Sequence, residues 1–213
     1  MQRARAWIAA LLACVLLAGC DGGRGDTPRR ALEERRSELL AAIAANPQAI
    51  AERVELARVA IGLGDAVGAE AAVKAALAAG GNDAALRPLL ARAYAMQGQG
   101  QRAFDAIDAG PIIPGMIGEA AWVAGDVHLS NGDLDAARSA YDRAVRELPR
   151  SSALWVDVAR FRDANADTAG ARDAVDYAIE LDGANSAALA YKANLIRTEA
   201  GLTASLDWYN RAL

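Results

Sequence analysis

The chain is 213 residues long, 54% hydrophobic but only 5% aromatic, with a formal net charge of −4 at pH 7. Mild acidity, with lysine and arginine scattered along the chain, removes the electrostatic case for nucleic acid. Abundant alanine with so few aromatics favours close-packed helices over a sheet-based core, and one histidine with two cysteines leaves almost no material for a transition-metal site.

Residues 1–19 stand apart from the fold. Arg3 and Arg5 form a basic start, and Trp7 to Ala18 is an uninterrupted apolar run of twelve residues. A spanning helix needs about 20 apolar residues, so this run reads as a signal peptide. It ends in Leu17-Ala18-Gly19-Cys20, which resembles the bacterial lipobox. The resemblance implies cleavage before Cys20, the lipidation site, which then carries a diacylglycerol thioether. Cys14 leaves with the signal peptide, so no thiol remains for a disulfide, a metal or a nucleophile. Acyl chains contribute about 0.8 kcal/mol per buried CH₂, enough for two chains to hold the protein on a bilayer without spanning it. Asp21 resembles an inner-membrane retention signal that varies between bacterial groups, so inner or outer membrane stays open. Loss of Arg3 and Arg5 takes the net charge from −4 to −6.

Residues 20–27 are glycine-rich and polar, a lipidated flexible tether. The Arg24-Gly25-Asp26 tripeptide within it is a coincidence of composition. Thr27-Pro28 opens a leading helix over 28–45, with threonine as cap and proline in the first turn, where its missing N–H costs nothing. Leu32, Leu39 and Ile43 share one side of it, and Asn46-Pro47 ends it.

From Ile50 a 34-residue frame holds without insertion: 50–83, 84–117, 118–151, 152–185 and an incomplete 186–213. Counting each start as one, position eight reads Ala57, Ala91, Gly125, Ala159, Ala193. Position twenty reads Ala69, Ala103, Ala137, Ala171, Ser205, and position twenty-seven reads Ala76, Gly110, Ala144, Ala178, Ala212. Gly64, Gly98 and Gly132, then Ala166 and Ala200, stand at fifteen. Position twenty-four is always larger: Val73, Ile107, Tyr141, Val175, Tyr209. A fixed period of this size marks a helical repeat array.

The pattern resembles the tetratricopeptide repeat, whose units carry small residues at eight, twenty and twenty-seven, glycine at fifteen and a bulky residue at twenty-four. Pro47 and Pro149 match its proline near thirty-two, Trp155 its tryptophan at four and Tyr94 its tyrosine at eleven. The resemblance covers residues 46–213, about five repeats. It implies an all-α helical-repeat solenoid, a right-handed superhelix of helix–turn–helix units. The physics agrees, since two short helices cannot bury their apolar stripes alone and must stack on neighbours. Glycine at fifteen allows the left-handed residue that ends the first helix. Asp65, Asp133 and Asp167 follow as caps for the second.

Three departures stand out. Pro111 and Pro114 must break the second helix of repeat two early. Arg162 replaces the usual aromatic at eleven and is expected to loosen repeat four. The chain stops at Leu213 with Leu206 and Tyr209 near an unprotected end. That predicts a truncated longer array, a partner on this face, or a homo-oligomer through the C-terminal helix.

No catalytic constellation is present. His128 falls at position eleven and is expected to be packed and hydrogen-bonded. Gly62-Leu63-Gly64 and Gly98-Gln99-Gly100 lack the strand a phosphate loop requires. The reading is therefore no enzyme, no cofactor and no metal site. The resemblance implies a concave groove lined by positions two, five, nine and twelve of each first helix. Arg58, Arg92, Asp126, Arg160 and Asn194 stand at nine, Trp122 at five and Arg197 at twelve, an expected peptide-binding strip. The lysine and asparagine set of the family's carboxylate clamp is missing. The function expected is a membrane-anchored scaffold or adaptor in the bacterial cell envelope, facing the periplasm, with a protein or peptide partner. Pilus, outer-membrane, and exopolysaccharide or exosortase assembly are examples. The rival reading is the solenoid portion of a larger envelope enzyme, such as a peptidoglycan-directed one.

Overall fold

The structure, a computed structural model, describes residues 28–213. The expected signal peptide (1–19), Cys20 and the tether (20–27) lie outside the described residues. Within them there is no strand. The helices are α1 (Pro28–Ala45), α2 (Ile50–Leu63), α3 (Ala66–Ala78), α4 (Asp83–Met96), α5 (Gly100–Asp108), α6 (Ile117–Ser130), α7 (Leu134–Glu147), α8 (Ser152–Ala164), α9 (Thr168–Leu181), α10 (Ser186–Ala200) and α11 (Leu202–Ala212). A 3₁₀ turn, Pro114–Met116, precedes α6. Helices α2 to α11 pack as successive pairs, each stacked on the next, in an all-helical solenoid. None of the described helices is long and apolar enough to cross a membrane.

Small residues make this stacking close. Every residue named at eight, twenty and twenty-seven is buried except Gly110 and Ala212, which are half-buried. At Gly125 a Cβ would stand 2.9 Å from the Tyr141 ring, so the tyrosine lies directly on the α6 backbone. Val73 and Val175 at twenty-four are fully buried, each contributing roughly 1.5–3 kcal/mol. Helix α1 covers the first pair: Leu39 is buried, Leu32 meets Gly62, and Arg35 donates from Nε and Nη2 to both Glu55 oxygens at 2.8 Å.

The turns repeat as closely as the core. Gly64, Gly98 and Gly132 have φ of 78°, 71° and 77°, and Ala166 takes the same left-handed region at 60° without glycine's freedom. In the last pair α10 runs through Ala200, the residue expected to turn, and Gly201 turns instead at φ 86°. Asp65, Asp133 and Asp167 each accept a backbone N–H three residues on, from Gly68, Ala136 and Gly170.

The second pair breaks this regularity. α5 is nine residues long where α7 and α9 have fourteen. Pro88 inside α4 has no N–H to give to Ala84 O, four residues back. The Ile113 N–H, from the irregular connection after α5, donates to that oxygen at 3.4 Å. Arg87, only 4% exposed, donates to Pro111 O, and its Nε lies 3.2 Å from Asp83 Oδ2. A missing hydrogen bond in one helix thus receives the chain that two prolines expel from the next.

Arg162 does not loosen the fourth pair. Its Nη1 donates to Gly170 O at 2.9 Å, tying α8 to α9 beside buried Phe161. At the far end Leu202 and Leu206 of α11 are exposed, and Tyr209 is half-buried.

Candidate binding groove

The first helices of successive pairs line a concavity of about 870 Å³. α1 and α2 contribute Leu32, Arg58 and Ile61, and α4 contributes Leu89, Arg92 and Met96. Glu119, Trp122, Asp126 and Leu129 come from α6, and Asp157 and Arg160 from α8. Apolar walls therefore alternate with charged groups at helical spacing.

Arg92 is the centre of the charged set and is not a surface donor. It is 6% exposed. Nε donates to Glu119 Oε1 at 2.9 Å and Nη1 to Asp126 Oδ2 at 2.9 Å, while buried Nη2 has no partner. The guanidinium carbon lies 3.6 Å from the centre of the Trp122 ring. Trp122 Nε1 donates to Asp157 Oδ2 at 2.9 Å, and Arg160 Nη1 donates to Asp157 Oδ1 at 2.6 Å. Tyr141 OH donates to the remaining Asp126 oxygen at 2.7 Å. Links between residues 27, 34 and 35 apart in sequence, with Tyr141 15 residues from Asp126, thus form one network across α4, α6, α7 and α8.

The electrostatics follow from that crowding. Burial, together with the negative charges of Asp157 and Glu119, pushes the Asp126 carboxyl up to about 7, against the opposing pull of Arg92 and Tyr141. Burial and Asp126 raise the Tyr141 hydroxyl far above its ordinary range, so it stays a donor.

Five of the seven expected strip residues share the concavity: Arg58, Arg92, Trp122, Asp126 and Arg160. Arg58 is exposed and Arg160 is about half exposed, whereas Arg92 is enclosed. Asn194 and Arg197 are exposed on α10 and do not line it; Asn194 Oδ1 accepts from Tyr209 OH at 2.6 Å. Glu119, Asp157 and Tyr141 were absent from the expected strip. Glu119 stands at position two of its repeat, a groove-lining place, so its signal was available in the sequence.

His128 departs from the packed, hydrogen-bonded expectation. Its side chain is 29% exposed, tilts against Phe104 at 5.1 Å, and keeps Nδ1 3.7 Å from Asp133 Oδ2, beyond hydrogen-bond reach. Among the described residues no three histidine, cysteine or acidic side chains group to hold a metal.

Among solved structures the chain is similar to two of MamA. One is 12% identical with a TM-score of 0.42, covering 85% of this chain and 86% of that one. The other is 17% identical with a TM-score of 0.49, covering 77% and 90%. No curated protein sequence matches. The profile of the tetratricopeptide repeat-like domain matches residues 24–165, about two-thirds of the sequence, and the chain belongs to that family.

Proposed function

We propose that the protein is a membrane-anchored scaffold of the bacterial cell envelope that faces the periplasm and holds a partner segment in its concave groove. The fold supplies a protein–protein interaction surface. The observation that carries the reading is the groove itself, open, apolar-walled and flanked by Arg58 and Arg160, a pairing suited to a peptide's mixed surface. It acts without chemistry of its own: both oxygens of Asp126 and of Asp157 are occupied, one of each by a donor from the neighbouring pair and the other by a donor from its own pair. The anchor is the lipidated Cys20, and the acidic chain favours protein over nucleic acid.

A photo-crosslinking amino acid at Met96, followed by capture from membranes, tests the groove. Capture is expected to fall at least about tenfold in the Arg58→Glu, Arg160→Glu double variant, since charge reversal at a binding surface costs 1–3 kcal/mol or more. Undiminished capture overturns the groove. Cys20→Ala is expected to release the protein from the membrane fraction, and retention there overturns the anchor.

A further inference from the structure

Position eleven of the repeat is the usual place of an aromatic, and what stands there decides whether space is left between neighbouring pairs. Tyr94 fills it in the second pair and is buried. Ala60 and Arg162 do not fill it in the first and fourth. Clefts of about 560 and 510 Å³ lie against them, each bordered by positions four, seven and eleven of its first helix. Leu40, Ile43 and Leu56 make the first cleft largely apolar. The other is bordered by three arginines, Arg138, Arg146 and Arg162, beside Trp155, Val158 and Phe161.

These guanidinium groups have no carboxylate partner among the described residues. Arg138 lies 5.7 Å from the Phe161 ring centre, Arg162 donates to the Gly170 backbone oxygen, and Arg146 bonds nothing. Asp142, one turn from both Arg138 and Arg146, makes no ion pair with either, while Asp167 accepts the Gly170 N–H as the cap of α9. Trp155 is held in place, its Nε1 donating to Pro149 O at 2.9 Å and its ring edge-on to Tyr177 at 5.0 Å. Trp155, Val158, Arg162 and Asn165 recur at three and four along one face of α8. Asp157 and Arg160, which line the concavity, fall on another. Tyr141 stands between the two spaces, its hydroxyl on Asp126 and its ring 5.4 Å from Phe161.

We propose that this outer cleft is a second docking site, taking an acidic segment of a partner protein that carries an aromatic or aliphatic side chain beside its carboxylates. Planar guanidinium forks match carboxylates, and the half-buried Trp155 ring offers contact area to the apolar neighbour. Three arginines against Asp142 and Asp167 leave one net positive charge, which suits a carboxylate or two and not a strand of phosphates. Arg162 is thus the residue that trades a filled interior for a recognition group. On the reading of the concavity as the first partner's site, on which this step rests, α8 presents two segments on separate faces and the solenoid bridges them.

The test is isothermal titration of the full chain in nonionic detergent with the acetylated peptide amide Glu-Phe-Glu-Glu-Phe-Glu, and with the same peptide carrying glutamine for each glutamate. The acidic peptide is expected to bind at least about tenfold more tightly, because hydrogen bonds to charged groups are the strong ones. The Arg138→Gln, Arg146→Gln variant is expected to lose at least about tenfold in affinity for it. Both side chains are exposed and unpaired, so the fold does not depend on them. Arg58→Glu, Arg160→Glu is expected to change it less than about twofold at physiological salt, where distant exposed charges are screened. Absent binding, equal affinity for the two peptides, or no loss in the Arg138 and Arg146 variant overturns the cleft. Loss in the Arg58 and Arg160 variant alone assigns the peptide to the concavity, which overturns the cleft and leaves the groove reading. Binding as expected, with capture through Met96 undiminished by the Arg58 and Arg160 substitutions, leaves the cleft and overturns the groove together with the bridge.

Discussion

The Arg92 guanidinium lies over the Trp122 ring with its carbon 3.6 Å from the ring centre, and the indole N–H continues to Asp157 on α8. One tryptophan thus joins three helix pairs. A desolvated cation–π contact is worth about 2 kcal/mol, and here it carries an ion-pair network as well.

Removing the guanidinium leaves Glu119 and Asp126 without their cation. Arg92→Met is expected to cost about 3–5 kcal/mol in denaturant unfolding. Lysine at that position restores only part, because a point charge cannot serve two carboxylates and an aromatic face together. A loss below about 1 kcal/mol in Arg92→Met would show that the network is incidental.

Two turn substitutions have opposite signs. Gly132 has φ 77° and no atom within 4 Å of an added Cβ, so Gly132→Ala meets only backbone strain. It is expected to cost roughly 1 kcal/mol. Ala166 already bears that strain at φ 60°, and Ala166→Gly is expected to gain about 0.5–1 kcal/mol after glycine's larger unfolded-state entropy is counted. Thermal melts of both variants measure this, and matching signs contradict it.

Gly125→Ala tests the closeness of the third pair. The new methyl meets the Tyr141 ring at 2.9 Å, and that ring is 2% exposed and bonded to Asp126. It cannot swing aside without breaking that bond. Overpacking of this kind costs about 1–3 kcal/mol, read as a lower denaturation midpoint. A variant as stable as wild type would mean the helices separate freely.

For these three groups stability should peak at about pH 4 to 5, near the unfolded carboxyl values, and fall on either side. Asp126 is raised in the fold, so its contribution is complete below its unfolded value and is lost as pH rises through about 7. Glu55, held low by Arg35, and Glu70, held low by Lys74 and Gln97, act oppositely: their contributions fade as pH falls into the acid range. Asp126→Asn is expected to remove the decline between about pH 4 and 7 and leave the acid one. Circular dichroism melts across the range decide it, and an unchanged decline over that interval in the variant counts against this assignment.

The helix pairs were legible because their determinants are local and periodic. A small residue at Ala137 and a large one at Tyr141 repeat through the chain, and Gly64, Gly98 and Gly132 mark turns whatever lies around them. The interior of the groove was less legible. An arginine at position nine reads as a groove donor open to a partner, and nothing within α4 shows that Glu119, Trp122 and Asp126, a repeat later, close over it. The alternation Arg92, Asp126, Arg160 at one repeat position was the available sign. Asp157 and Tyr141 join from other positions, so only the stacking reveals them. The exchange of a bond from Pro88 to Ile113 depends on two separate irregularities meeting in space, and neither predicts the other.

The short α5 also divides the apolar interior. Ala57, Val73, Leu86 and Leu89 belong to one packed group, and Tyr141, Leu154, Val175 and Ala188 to another, with a small set around Tyr94 and Val123 between. A load applied along the rod therefore meets its least resistance at the second pair. Stretched from its two ends, the protein should yield in two force steps, losing the first pairs while the last three still bear tension.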